Sequence, residues 1–268
     1  MGSPTSSVLV PGPVRSTMLV VEGLWTWYKR NWRSSVISTV LEPALFLVAL
    51  GVGFGSQVEA GPATLGLPYV QYLAPALLAA TLMQTAMFES TYPVLSGFKW
   101  QRVYWAMIST PVGAAQVLSG QLAWLALRLL VSAVAFVAVA AALGALTSPM
   151  ILLAILFAVL TGMAVCAPVM AYAATLESEG QQFNVLFRFI MMPMMMFSGT
   201  FFPVEQLPAL VRPLIWVSPL WHGTELCRGV TIGSLDPLAA LGHIAYLCAL
   251  LALGAHLARR AFVRRLEV

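Results

Sequence analysis

Six long apolar runs, at residues 36–54, 69–88, 121–145, 150–174, 183–202 and 238–258, are separated by shorter polar stretches. Each is close to the about 20 residues that a helix needs to cross the hydrocarbon core of a bilayer. Ahead of them Val14, Met18, Val21, Trp25, Tyr28 and Trp32 recur at spacings of four and three, which is one face of a helix, with Arg15, Glu22, Lys29, Arg30 and Arg33 on the remainder. With Trp27 added, this pattern predicts an amphipathic helix over 14–34 lying in the headgroup layer. A helix packed on a partner is the other reading. Residues 1–13 contain three prolines and several serines and predict a mobile tail. The expected fold is an all-α membrane protein, with the interfacial helix, six transmembrane helices over 35–258 and a basic cytoplasmic tail over 259–268.

Two segments depart from a plain up-and-down bundle. Residues 89–111 hold Glu89, Lys99, Trp100, Gln101, Arg102, Tyr104 and Trp105, a basic and aromatic mixture too polar to span and too long for a tight turn. A short surface helix there presents the residue types that dominate binding hot spots; a headgroup-level anchor is equally consistent with the residues. In 203–236 the apolar stretches are cut by Pro203, Pro208, Pro213 and Pro219. Apolar pieces of about 10–14 residues suit re-entrant or interfacial helices, whose backbone needs cover from the bundle. A dipping helical hairpin closing the outer end of a pathway and an ordinary packed outer loop both fit.

Polar residues inside the runs are few. Glu42 is followed by Pro43, which removes a backbone donor, and a carboxylate at that depth must be neutralised, hydrogen-bonded or turned to a wet cavity. It serves either structural polarity or contact with substrate and water. Arg128 falls near the inner end of its run and is expected to snorkel to the headgroups. Met191, Met192, Met194, Met195 and Met196 surround Pro193; flexible thioethers adapt to varied apolar ligands, or simply fill a lipid-facing helix.

Composition strengthens the membrane reading, since 60% of the 268 residues are apolar and 9% charged, against about 45–50% and about 25% in soluble domains. A bulky extramembrane domain is excluded. The bases flank the apolar runs instead of covering a soluble face, so the net charge of +4 does not indicate a nucleic-acid partner. With the start of the chain inside, Arg15, Lys29, Arg30, Arg33, Lys99, Arg102, Arg259, Arg260, Arg264 and Arg265 are cytoplasmic, and Arg212 and Arg228 are outside. That asymmetry places both ends in the cytoplasm. The short loop 177–182 is the exception, carrying Glu177 and Glu179 and no base.

The chemistry of catalysis is missing. Neither Lys29 nor Lys99 follows a glycine, so there is no G-x-x-x-x-G-K-[ST] phosphate loop, and no H-E-x-x-H or G-x-S-x-G motif occurs. His222 and Glu225 are three apart on one outer segment, while His243 and His256 read as isolated. Cys166, Cys227 and Cys248 are odd in number and lack metal-ligand spacing. The chain is expected to be no enzyme and to bind no metal.

Four stretches carry a family resemblance: the tryptophan-basic helix running into Leu41-Glu42-Pro43; Tyr72-Leu73-Ala74-Pro75-Ala76-Leu77-Leu78; Ala106-Met107-Ile108-Ser109-Thr110-Pro111; and Phe197-Ser198-Gly199-Thr200-Phe201-Phe202-Pro203-Val204 with Leu207-Pro208, Pro219-Leu220, His222, Glu225 and Arg228. Together they span Trp25 to about Val230. The chain resembles the permease subunit of a type-two ABC exporter, and most of all the lipo-oligosaccharide (nodulation-factor) and daunorubicin-type drug export permeases. One departure is visible: many relatives have an acid after the glycine that opens the third span, where this chain has Gln121 after Gly120. An ion pair at that position is not carried over.

The resemblance implies six spans in the cell (inner or plasma) membrane with both ends cytoplasmic, a coupling helix between spans two and three, and re-entrant helices between spans five and six. It implies two separate ATPase subunits that bind ATP and Mg, and a permease homodimer or a heterodimer with a paralogue, with membrane lipid around the pathway. Glu89, Lys99, Trp100, Arg102, Tyr104 and Trp105 are the expected ATPase-coupling residues. Glu42, Pro43, Met192, Met195, Phe201, Phe202, His222, Glu225 and Arg228 are expected along the translocation pathway or its gate. The expected cargo is an amphiphilic drug, a glycolipid or a lipo-oligosaccharide. The rival class is a secondary transporter or channel driven by an ion gradient, for which Glu42 and His243 are the available ionisable groups; a membrane anchoring protein is a third.

Overall fold

The computed structural model describes residues 12–53, 55, 61, 64–201, 203–209 and 212–267, with the side chains of all of these except 31–40, 42, 43, 52 and 205. Among the described residues every regular element is helical. Helix α1 (Pro13–Phe46) runs directly into a π-helical stretch, Leu47–Gly53. The boundary expected near residue 34, between an interfacial helix and a first span, is therefore not a break in the backbone. Ser16 and Val20 are buried and Leu24 and Tyr28 half-buried, a four-residue ladder laid along α5 (Ala114–Ala142). Gly120 makes room for it, since a Cβ there would sit 2.5 Å from Val20 Cγ1. Trp25 and Tyr28 meet Trp124 edge-on at 6.1 and 5.5 Å. Val14 and Met18, expected on the same apolar stripe, are exposed.

Helix α2 (Tyr69–Ser90) is the innermost element, buried along most of its length. It is apolar all round, as a helix with neighbours on every side must be, and Ala74, Ala76, Ala79, Ala80 and Ala86 let α6 (Ile151–Thr175) and α10 (Pro219–Ile232) approach closely. Among the described residues α5, α6 and α11 (Pro237–Leu266) are the helices both long and apolar enough to cross a bilayer. Helix α11 lies tightly on α6, because Gly254 faces Pro168 and a Cβ there would be 2.4 Å from the proline Cδ.

The run at 183–202 departs from expectation. It forms α7 (Phe183–Leu186), a π-helical stretch Phe187–Met191 and α8 (Met192–Phe197), and stops where Gly199 takes a φ of 77°. At about 1.5 Å per residue, helix 183–197 falls short of a core about 30 Å thick. Beyond it come a 3-10 turn (Val204–Gln206), α9 (Arg212–Trp216) and α10. The 14 residues of α10 reach only about 21 Å, and they pack against α2, α6 and α11.

On the opposite side, residues 89–111 form two short helices, α3 (Tyr92–Phe98) and α4 (Val103–Ile108), where one was expected. Arg102 makes the corner at φ 54°, a left-handed conformation that costs a non-glycine residue roughly 1–2 kcal/mol. Residues 259–266, in the segment expected as a basic cytoplasmic tail, are the last turns of α11, with Phe262 and Leu266 buried.

Two glycines of α11 should respond oppositely to a methyl group. Gly254→Ala meets the rigid Pro168 ring and should lose about 1–3 kcal/mol through overpacking. Gly242 has nothing within 4 Å of a built Cβ, so Gly242→Ala should be neutral or gain up to about 1 kcal/mol from helix propensity. Thermal unfolding of the detergent-solubilised variants measures both signs.

Candidate functional site

Polar side chains gather in two layers, one at each end of the bundle. In the layer around α3 and α4, Lys99 Nζ donates to Glu179 Oε1 at 2.7 Å and Trp100 Nε1 to Glu179 Oε2 at 3.1 Å. Tyr92 adds a hydroxyl bond to the Gly180 carbonyl at 3.2 Å. The acidic loop that contradicted the charge asymmetry is thus the cradle of the basic segment. Its other acid, Glu177, acts electrostatically on Arg265. Trp105 Nε1 donates to the Phe98 carbonyl at 3.2 Å, which fixes the indole while leaving it 38% exposed. Trp100, Gln101 and Arg102 are exposed beside it.

Two residues expected on that face lie elsewhere. Tyr104 is buried, its ring 4.8 Å from Phe98 and 5.6 Å from Phe262, because Gly97 leaves space that any side chain would fill. Burial pushes its phenol above the ordinary range. Glu89 faces inward and pairs with Arg128 at 2.7 Å, and the Arg128 guanidinium lies 5.5 Å from the Tyr28 ring. Arg128 therefore joins α1, α2 and α5 instead of snorkelling alone.

At the other end, helix 183–197 gives way to a non-helical Ser198–Phe201, whose carbonyls have left the helical ladder. Arg228, 7% exposed, donates through Nη2 to Gly199 O at 2.8 Å and Thr200 O at 3.3 Å. Its guanidinium also lies 4.1 Å from the Tyr72 ring centroid. Tyr69 Oη donates to Phe201 O at 3.2 Å, and the Ser198 and Ser218 hydroxyls pair at 2.6 Å. Glu225 stands 4.0 Å from Arg228, one turn back. The cavity beside this knot, about 380 Å³, is lined by Tyr72, Val204, Glu225, Arg228, Asp236 and His243 among others.

His243, read from sequence as isolated, meets His222 with the two Nδ1 atoms 2.7 Å apart. His222 Nε2 is 2.9 Å from the Trp216 carbonyl, so that nitrogen carries the hydrogen. The His222 Nδ1 is then the acceptor and His243 Nδ1 the donor. Tyr246 stacks on His222 at 4.0 Å and its hydroxyl bonds the Val217 carbonyl. The partners are 21 residues apart on different helices, and no sequence spacing signals such a contact.

The expected pathway residues are only partly brought together. His222, Glu225, Arg228 and the half-buried Phe201 share the layer around the Gly199 and Thr200 carbonyls. Met192 is exposed and Met195 half-buried on helix 183–197, away from the knot. Phe202 and the side chains of Glu42 and Pro43 lie outside the described residues. Gln121 Oε1 is buried without a hydrogen-bond partner among the described residues. Among the described residues no three of His, Cys, Asp and Glu converge as a metal-ligand set.

Residues 16–232 match the family described as "ABC-2 type transporter", and the chain belongs to that family. It is 31% identical over 235 residues to Nodulation protein J of Sinorhizobium fredii (strain NBRC 101917 / NGR234), covering 84% of this chain and 87% of the relative. It is 29% identical over 236 residues to Nodulation protein J of Rhizobium meliloti (strain 1021), with the same coverage, and 28% identical over 262 residues to that of Rhizobium leguminosarum bv. trifolii, covering 97% and 98%. The family and the apolar helices together define an integral membrane permease subunit of an ABC transporter, a transport component and not a catalyst, whose class works with an ABC ATPase.

Both layers can be probed. The Lys99 hydrogen bond, more than the opposing desolvation, holds the Glu179 carboxyl below its ordinary range, with the Lys99 charge and Trp100 adding to it. A depressed folded pKa means that the tie is complete above the unfolded value of about 4.3 and fades as pH falls through the lower folded one. Trp100 fluorescence should therefore shift on acidification below about pH 4, and Glu179→Gln should flatten that response. Arg228→Met leaves the Gly199 and Thr200 carbonyls unpaired and should cost about 1–3 kcal/mol for each. Tyr69→Phe, which removes a donor from one carbonyl, should cost less in the same denaturation series.

Proposed function

We propose that this chain forms the translocation pathway of an ATP-driven exporter of amphiphilic molecules, with two separate ATPase subunits docked on the α3–α4 layer. The observation that carries the proposal is the outward set of Trp100, Arg102 and Trp105, held at a fixed angle by Glu179 and by the Phe98 carbonyl. Aromatic and arginine side chains on a braced segment are what a partner's pocket grips. ATP and Mg belong to the partner, where ATP-driven closure of the ATPases pushes residues 89–111. Tilting of the spans then alters access to the pathway.

In this reading the transmembrane domain covers 35–258 with six spans, the fifth completed beyond helix 183–197 by the non-helical Ser198–Phe201, both ends are cytoplasmic in the plasma membrane, and 203–236 is an outer re-entrant hairpin. The short reach of α10 and its enclosure by α2, α6 and α11 support the hairpin, since a half-length helix is tolerated at depth only where protein covers it. A second copy or a paralogue covers the apolar face of helix 183–197, where Val185, Phe189, Met192 and Met196 are exposed. An apolar recess of about 260 Å³ between Met87, Val169, Ile190, Met194 and Leu250 suits the lipid part of an amphiphile. Lipo-oligosaccharide, glycolipid and amphiphilic drug share that chemistry, and relatives named Nodulation protein J favour the first.

The ion-gradient alternative draws on the His222–His243 pair and on Glu42; it requires solute movement in vesicles that contain no ATPase. Trp105→Ala and Arg102→Ala should insert normally and abolish permease-stimulated ATP turnover of the reconstituted complex. Survival of both ATPase co-purification and stimulated turnover in these variants would remove the docking assignment.

A further inference from the structure

The last turns of α11 touch each element of the α3–α4 layer. Phe262 is fully buried, its ring 4.8 Å from Phe98 of α3 and 5.6 Å from Tyr104 of α4. Arg265 Nη1 donates to Ala174 O at 2.9 Å and Ala173 O at 3.5 Å in the final turn of α6, and its guanidinium lies 4.4 Å from the Phe98 centroid. Glu267 Oε1 accepts the N–H of Ala114, the first residue of α5, at 3.2 Å. The signs match the backbone: a helix N-terminus is partly positive and a C-terminus partly negative, and here an acid sits on the first and a base on the second. Anchoring this end of α11 by apolar packing alone needs only Phe262 and Leu266. Arg265 and Glu267 add directional bonds to two other helices, one of them at the point where α4 feeds into α5.

We infer that residues 262–267 are a positioning joint, which makes α5, α6 and α11 follow any displacement of α3–α4 as a unit. The inference rests on the coupling role proposed above for α3–α4. Without the joint, the segment still docks its partner and yields under load without moving the helices.

The test uses the full chain with its ATPase in liposomes. Trp105→Ala reports on the coupling reading, and Glu267→Ala, Glu267→Gln and Arg265→Met report on the joint; Arg264→Gln, an exposed base one residue away, is the control. Glu267→Ala and Arg265→Met should lower the permease-stimulated kcat by at least about fivefold, the size of one lost helix cap, with the KM for ATP and co-purification unchanged. Glu267→Gln should recover most of the rate, because its amide oxygen accepts the same N–H. If a variant fails to insert, Arg265→Lys and Phe262→Leu replace it, with the same expected loss. Wild-type turnover in the joint variants, with Trp105→Ala inactive, overturns the joint alone. Wild-type turnover in Trp105→Ala overturns the coupling reading and the joint with it.

Discussion

A carbonyl that leaves its helical ladder in a low-dielectric interior must find another donor, and this chain answers that need twice with the same device. Arg228 donates to the carbonyls of Gly199 and Thr200 while lying over the Tyr72 ring. Arg265 donates to Ala173 and Ala174 while lying over Phe98. A guanidinium suits both places, since its planar fork reaches two neighbouring oxygens, it stays charged, and its face stacks on an aromatic ring. Each arginine closes a break in regular backbone, one after helix 183–197 and one where α6 ends. Without such donors those carbonyls would be left unpaired.

The two ends differ in how the remaining polar groups are tied. Charge pairs dominate around α3 and α4, with Glu89 on Arg128 and Glu179 on Lys99, joined by Glu267 on the α5 N-terminus. At the other end neutral contacts prevail: a serine pair, tyrosine hydroxyls on carbonyls and an imidazole pair. These neutral bonds surround Arg228, the buried charge of that layer, and add no further desolvated charge to it. Charge pairs that are partly solvated are individually weak, and here they leave Trp100, Arg102 and Trp105 outward.

Much of the candidate site was legible before any coordinates. The basic-aromatic composition of 89–111 and the prolines of 203–236 marked the two segments that interrupt the bundle, because hot-spot residue types and missing backbone donors are properties of single residues. Direction within those segments was not legible. Tyr104 and Trp105 are adjacent and both aromatic, yet one fills the space above Gly97 and the other stays half outside, and only the position of Phe262, far along the chain, decides which. The partners of Arg128 and His243 were hidden for the same reason: contacts between different helices carry no spacing signal in one sequence.

The sequence by itself determined that the chain is helical, apolar and built for lipid, and where its runs are interrupted, since these follow from local composition and from the length a bilayer imposes. Tertiary structure alone decided that the basic segment after residue 258 is the end of α11 pinned to α5 and α6, that loop 177–182 neutralises the base opposite it, and that helix 183–197 stops short. Those outcomes depend on which charges and carbonyls meet across tens of residues, and an electrostatic or hydrogen-bonded contact acts through distance in space, which linear order does not record.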